Sequence, residues 1–192
     1  RLSAARLFLF GARDVWFVVA LPVFLSQSLG WDFSEVGGFL ALWVIGYGIV
    51  QSLAPQVTGR RSGKLPDGRA ASAWASILAA VPALMALLLL QGQSPQLVLV
   101  AGLSVFGVLF AINSSLHSYL IVSYAAEDGV SLDVGFYYMA NAMGRLLGTI
   151  LSGWMFQRYG LAACLGTSAV FVALAAIVSL ALKMAPHIVC RV

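Results

Sequence analysis

The sequence predicts an all-α membrane protein that crosses the bilayer with six transmembrane helices. Of its 192 residues, 61% are hydrophobic and only 9% are charged, whereas a water-soluble domain carries about 25% charged residues. The mean hydropathy of +0.94 reflects the same imbalance. The hydrophobic residues fall into six blocks, each long enough for the ~20 residues that a membrane-spanning helix needs. This composition argues against a soluble enzyme, a nucleic-acid-binding protein and a disordered chain.

Polar or turn-forming segments separate the first three blocks. The first block covers about residues 4–29 and is interrupted by one ionisable pair. A polar break follows it, and the second block occupies about residues 36–57. Segment 58–69 is basic and rich in glycine, so we expect a loop there. The third block covers about residues 70–90.

The last three blocks follow the same pattern. A turn at 91–95 precedes the fourth block at about 97–124, and an acidic loop leads to the fifth at about 134–156. A tight turn at 157–160 then joins the sixth block, at about 161–182. Within lipid, only helices and closed barrels satisfy their backbone hydrogen bonds, and no block shows the alternating pattern of a barrel strand. All six blocks are therefore predicted to be helices.

The distribution of Lys and Arg predicts that both chain ends and the basic loop are cytoplasmic, with the protein in the cell (inner) membrane. An even number of spans places both ends on one side, and the positive-inside rule makes the basic side cytoplasmic. The opposite side would carry only Arg158. The chain starts at Arg1 without a methionine or a signal peptide, so we expect it to be part of a longer protein. The basic side would carry Arg1, Arg6, Arg60, Arg61, Lys64, Arg69, Lys183 and Arg191.

Two arginines inside predicted helices give the strongest functional signal. Arg13 lies near the middle of the first helix and Arg145 near the middle of the fifth. A charge at that depth costs about 2.5–3.5 kcal/mol on insertion scales, so each should face a partner or a wet cavity. Asp14 is the only acid at similar depth. Because adjacent helical residues do not face each other, we expect Asp14 to point to another helix, where it pairs with an arginine or carries a proton.

Other polar side chains recur at helical spacing and predict a cavity between four helices, with the apolar third and sixth helices facing lipid. Gly144, Gly148 and Ser152 form a stripe of small residues that predicts close helix packing. Asp14 and His117 are the candidates for proton coupling. The candidates for substrate binding are Arg13, Arg145, Asn113, His117, Asn141, Tyr138, Tyr47 and Gln51.

These residue types suit a multiply charged oxyanion, because the planar guanidinium fork matches phosphate and carboxylate. Each also has a structural alternative. The arginines can hold helices together, His117 and the asparagines can form interhelical hydrogen bonds, and Tyr47 can serve packing alone. Cys164 and Cys190 are too few and too scattered for a metal site or a disulfide framework, so no metal and no cofactor are expected.

Several segments carry a resemblance to a known family. Six spans with a basic, glycine-rich loop resemble one half of a major facilitator superfamily transporter, built from two inverted three-helix repeats. Longer strings are similar to the carboxy-terminal half of the ArsJ family of organoarsenical-efflux permeases. That likeness covers essentially the whole chain and is carried by residues 8–24, 37–48, 113–120, 133–141 and 144–149.

The resemblance implies an efflux transporter that confers arsenic resistance. ArsJ-like permeases export 1-arseno-3-phosphoglycerate, which a glyceraldehyde-3-phosphate dehydrogenase makes from arsenate, so a functional link to that enzyme is implied. The missing amino-terminal six-helix half would be the structural partner. Arg13 and Arg145 would then suit the two anionic ends of this substrate.

Three alternatives remain at the level of the sequence. The chain can serve another small phosphorylated or carboxylated anion, or form a structural or receptor-like bundle. An intramembrane hydrolase is the third, but the first glycine of a Gly-x-Ser-Gly motif is absent before Ser152. No ATP-binding loop of the GxxxxGK type is present either, so we expect secondary transport, with proton antiport as the coupling. A half whose polar stripes face lipid should also be unstable alone.

Overall fold

The computed structural model describes residues 2–58, 68–124 and 130–182, and these residues are almost entirely helical. Most of the basic loop, part of the acidic loop, and the tail with Cys190 lie outside the described residues. The helices are α1 (Leu2–Phe17), α2 (Ala20–Leu29), α3 (Phe33–Thr58), α4 (Gly68–Leu90), α5 (Pro95–Tyr124) and α6 (Val130–Leu180).

The first predicted helix is divided into α1 and α2, with a turn at 18–19. Pro22 explains the position of this break, because proline has no N–H for the carbonyl of Val18 and its ring clashes with that carbonyl. The backbone N–H of Ala20 instead donates to Ser152 Oγ at 3.1 Å. Together, α1 and α2 still form one apolar segment of 28 residues, Leu2–Leu29.

The fifth and sixth predicted helices form one element, α6, whose only non-helical residue is Gly160 with φ 76° and ψ −176°. The chain reverses at Gly160, as a contact across the turn shows: Thr167 Oγ1 donates to Met155 Sδ at 3.2 Å. In a straight helix, residues twelve apart would be about 18 Å apart. The two arms of α6 therefore lie side by side. Within the described residues, five segments are long and apolar enough to cross a membrane, so the predicted count of six is not confirmed.

Helices α1 and α4 pack against α6, whereas α3 contacts mainly α5. Buried aromatic and aliphatic residues such as Trp16, Phe106 and Phe110 fill the core between them. Within this chain α3, predicted to line a cavity, is buried over only 6% of its apolar window, whereas α4, predicted to face lipid, reaches 28%. The reason is that α4 has neighbours in both α5 and α6.

The predicted stripe of small residues on α6 is confirmed as a close-packing surface. A Cβ added to Gly148 would lie 2.6 Å from the carbonyl oxygen of Gly11 and 3.1 Å from Cβ of Asp14. Gly144 meets the backbone of Leu7 even more closely. This contact brings the first arm of α6 against α1 at the depth of the ionisable residues.

Candidate functional site

The close approach of α1 and α6 builds an ion triad around Asp14. This carboxylate is fully buried and accepts hydrogen bonds from Arg13 Nε at 2.6 Å and from Arg145 Nε at 3.1 Å. The Arg13 side chain is 14% exposed and that of Arg145 is 56% exposed. Arg145 therefore reaches the carboxylate from an open face, while Arg13 reaches it from inside the helix bundle.

The triad corrects one prediction and confirms another. Asp14 does contact its neighbour Arg13, which the helical positions of adjacent residues argued against. The Cα–Cβ bonds of Arg13 and Asp14 point in different directions around the helix, but the arginine side chain is long enough for its Nε to reach the carboxylate. The expected pairing of Asp14 with an arginine on another helix is confirmed by the contact with Arg145.

Arg6, which the sequence places among the basic residues of the predicted cytoplasmic side, belongs to the core of the chain. It is only 4% exposed. Its Nη1 donates to the carbonyl oxygen and to Oγ of Ser114, at 3.2 and 3.3 Å. Its guanidinium carbon lies 3.9 Å from the ring centroid of Phe10 and 4.8 Å from that of Tyr137. The spacing could have indicated this position, because Arg6, Phe10 and Arg13 are at i, i+4 and i+7 and therefore share one face of the helix.

Phe10 lies next to both arginines of α1. The Arg13 guanidinium carbon is 5.3 Å from the Phe10 centroid and 5.5 Å from that of Phe110. Since the guanidinium carbon of Arg6 is 3.9 Å from the same Phe10 centroid, the two cations are at most roughly 9 Å apart, each within cation–π range of one ring.

Helix α5 presents polar residues to this region. Asn113, Ser114 and His117 are fully buried. Asn113 donates to Leu109 of its own helix at 3.0 Å, but its Oδ1 has no hydrogen-bond partner, and neither ring nitrogen of His117 has one. Unpaired polar atoms at such burial are uncommon and call for an explanation. Gln51 of α3 donates to Ser114 Oγ at 3.4 Å, so Gln51, Ser114 and Arg6 are linked.

The remaining candidates are less closely assembled. Tyr47 stacks on Trp43 with centroids 5.6 Å apart and lines a groove of about 260 Å³ between α3 and α5. Trp43 itself donates from Nε1 to the carbonyl oxygen of Leu103 at 2.8 Å. Tyr138 is 59% exposed, and Asn141 Oδ1 is buried without a hydrogen-bond partner. No contact joins Tyr138 or Asn141 to the ion triad among the described residues.

The local charge balance is positive. Arg6, Arg13 and Arg145 are accompanied by one carboxylate, Asp14, within the described part of this region. Two positive charges are thus left over in a segment of low polarity, where buried charges require pairing. The arrangement can bind an oxyanion through several guanidinium donors, and it can exchange Asp14 for another anionic partner.

Comparison with known proteins gives one match. The family model described as Major Facilitator Superfamily matches residues 2–188. No curated protein and no solved structure matches the chain.

Proposed function

The chain belongs to the Major Facilitator Superfamily, and from this premise we propose that it exports a small organic anion with two negatively charged ends. Proteins of this family are multi-pass membrane transporters that work by secondary transport rather than as enzymes, with a substrate site near the bilayer midplane between two halves. This chain would supply one half, and its open face with Arg145 would turn toward the other.

The single observation that carries the proposal is the excess of arginine over carboxylate. Three guanidinium groups lie in a region with one carboxylate, Asp14, which pairs with Arg13 and Arg145 but not with Arg6. Arg6 and Asp14 are buried. An anionic cargo would compensate the remaining charge. A cationic or neutral cargo would leave it uncompensated, which is costly in a medium of low polarity.

We propose 1-arseno-3-phosphoglycerate as the specific cargo. The support is the resemblance of the chain to ArsJ-like permeases, together with the cluster of Arg6, Arg13 and Arg145. The sequence suggests that Arg13 and Arg145 bind opposite ends of the substrate; because both contact Asp14, we propose instead that they hold one end together. Asn113, Asn141, Tyr138, Tyr47 and Gln51 would supply donors for the hydroxyl and the ester oxygens.

Coupling to protons is proposed to run through Asp14. The cargo and the Asp14 carboxylate compete for the same two arginines, so an anion that takes over these bonds leaves Asp14 exposed to protonation. Binding of the anion and protonation of Asp14 are then linked by one exchange of partners. His117 remains the second candidate, because its two buried ring nitrogens are unpaired.

The proposal is tested by arsenate resistance in cells that produce the complete transporter. We expect Arg13→Ala and Arg145→Ala to reduce resistance strongly at unchanged protein level, because each removes donors to the anion. Arg158→Ala, at an exposed position on the turn side of α6, is the matched control and should leave resistance intact. Full resistance in both triad variants would refute the assigned roles.

A companion measurement separates the arsenic-specific cargo from a broader anion specificity. Membrane vesicles that carry the complete transporter are tested for uptake of plain 3-phosphoglycerate. Guanidinium groups do not distinguish phosphate from arsenate by charge or shape. Uptake of 3-phosphoglycerate would therefore favour a transporter of small phosphorylated anions in general.

A further inference from the structure

Arg6 is a buried cation whose direct contacts among the described residues are all with neutral groups. Its partners among the described residues are Ser114 and the rings of Phe10 and Tyr137, and its Nε has no hydrogen-bond partner. No carboxylate of the described residues lies within ion-pair distance of it. Cation–π contacts and bonds to neutral oxygens compensate a buried charge only in part. The position therefore favours an anion as the missing partner.

The face of α5 opposite Arg6 has donors for such an anion. Phe110, Ser114 and His117 are spaced i, i+4 and i+7 and so share one face, which meets the Arg6–Phe10–Arg13 face of α1. Phe10 and Phe110 touch edge to face, with centroids 5.2 Å apart. His117 is fully buried, and both its ring nitrogens lack a partner. An oxyanion beside Arg6 would give the imidazole N–H an acceptor and the guanidinium a counter-charge.

We propose that Arg6, Ser114 and His117 form a second anion subsite, which binds one end of a two-ended organic anion while Arg13 and Arg145 bind the other. This inference rests on the proposed function and adds a specificity-determining residue to it. Both subsites adjoin Phe10, whose ring centroid lies 3.9 Å from the guanidinium carbon of Arg6 and 5.3 Å from that of Arg13. The cargo class is an organic anion with oxyanion groups at both ends, such as a phosphate with a carboxylate or an arsenate.

The competing explanation is that Arg6 only ties α1 to α5. It predicts that replacing Arg6 affects every ligand equally, through the fold. The subsite predicts an effect that depends on the number of charged ends in the ligand. Two probes separate these outcomes: 3-phosphoglycerate, with a phosphate and a carboxylate, and glycerol 3-phosphate, with the phosphate alone.

The experiment measures the binding of both probes to the purified complete transporter, for the wild type, Arg6→Gln and the exposed control Arg158→Gln. We expect Arg6→Gln to weaken 3-phosphoglycerate about tenfold or more, as for the loss of a charge-assisted hydrogen bond. Binding of glycerol 3-phosphate should change less than about threefold, since its single charged end can use the triad. Equal losses for both probes, or no loss for 3-phosphoglycerate, would overturn the subsite.

A second variant covers the case in which Arg6→Gln fails to fold. His117→Leu removes two unpaired buried nitrogens, so the protein should unfold at the same or a higher temperature. The subsite nevertheless predicts weaker 3-phosphoglycerate binding in this variant, and wild-type affinity would overturn the role of His117. The proposed function fails separately, if the wild type binds neither probe.

Discussion

The sharpest test of the architecture is the substitution Gly148→Ala. The added Cβ would lie 2.6 Å from the carbonyl oxygen of Gly11, which is below the closest approach that Cβ atoms show in proteins. The first arm of α6 must then move away from α1 by several tenths of an ångström. The bond from Arg145 Nε to Asp14 is already 3.1 Å long, so the same shift stretches it toward the limit of a hydrogen bond.

We expect Gly148→Ala to lower the free energy of unfolding by about 1–3 kcal/mol, the usual cost of overpacking. The assay is thermal unfolding of the complete transporter in detergent, together with transport of 3-phosphoglycerate. Gly166→Ala is the matched control, because it makes the same change on α6 where an added Cβ meets nothing within 4 Å. That control should be neutral or stabilising, since alanine favours helix over glycine by up to about 1 kcal/mol. If Gly148→Ala behaves like Gly166→Ala, the close contact between α1 and α6 is wrong.

Three further substitutions probe single contacts, each by thermal unfolding in detergent. Trp43→Phe removes the 2.8 Å bond to the carbonyl of Leu103 and should cost about 1 kcal/mol, while an unchanged midpoint would mean that the bond is absent. Ser152→Ala leaves the buried N–H of Ala20 without its acceptor, and we expect a loss of about 1–3 kcal/mol. Gly160→Ala forces alanine into φ 76° and ψ −176°, a region essentially restricted to glycine, and should destabilise the protein by about 1–3 kcal/mol. Gly160→Asn should cost about as much, because asparagine tolerates the left-handed helical region but not this one. A much smaller loss for asparagine would argue against that backbone conformation.

The helical architecture was predictable because each apolar block is bounded by residues that interrupt a helix or carry charge. The beginning of α4 at Gly68 and its end at Leu90 lie within two residues of the predicted limits. The break inside the first block was missed although Pro22 was visible, because proline is tolerated in membrane helices and its presence alone does not require a break. The tight turn predicted at 157–160 is confirmed, because the chain reverses at Gly160.

The contents of the site were predictable in type, but the pairing within it was not. Arginines deep in a predicted span indicate a functional site because burying them is costly. The stripe of small residues on α6 predicted a close helix contact but not its partner. The place of Arg6 in the site was not predicted, because a basic residue near a helix end is normally a surface charge. Only the packing of α5 across α1 turns it inward, and such a contact between residues 108 positions apart leaves no local pattern in the sequence.

The two proposed subsites differ in a way that sets an order of events. Arg6 has no carboxylate partner among the described residues, so an anionic group that binds there displaces no carboxylate. Arg13 and Arg145 are held by Asp14, so a second anionic group can bind there only as that carboxylate gives up its bonds. A ligand with one charged end that opens the triad leaves Arg6 without a counter-charge. A ligand with two ends compensates Arg6 as well, so the release of Asp14 for protonation would favour the two-ended cargo.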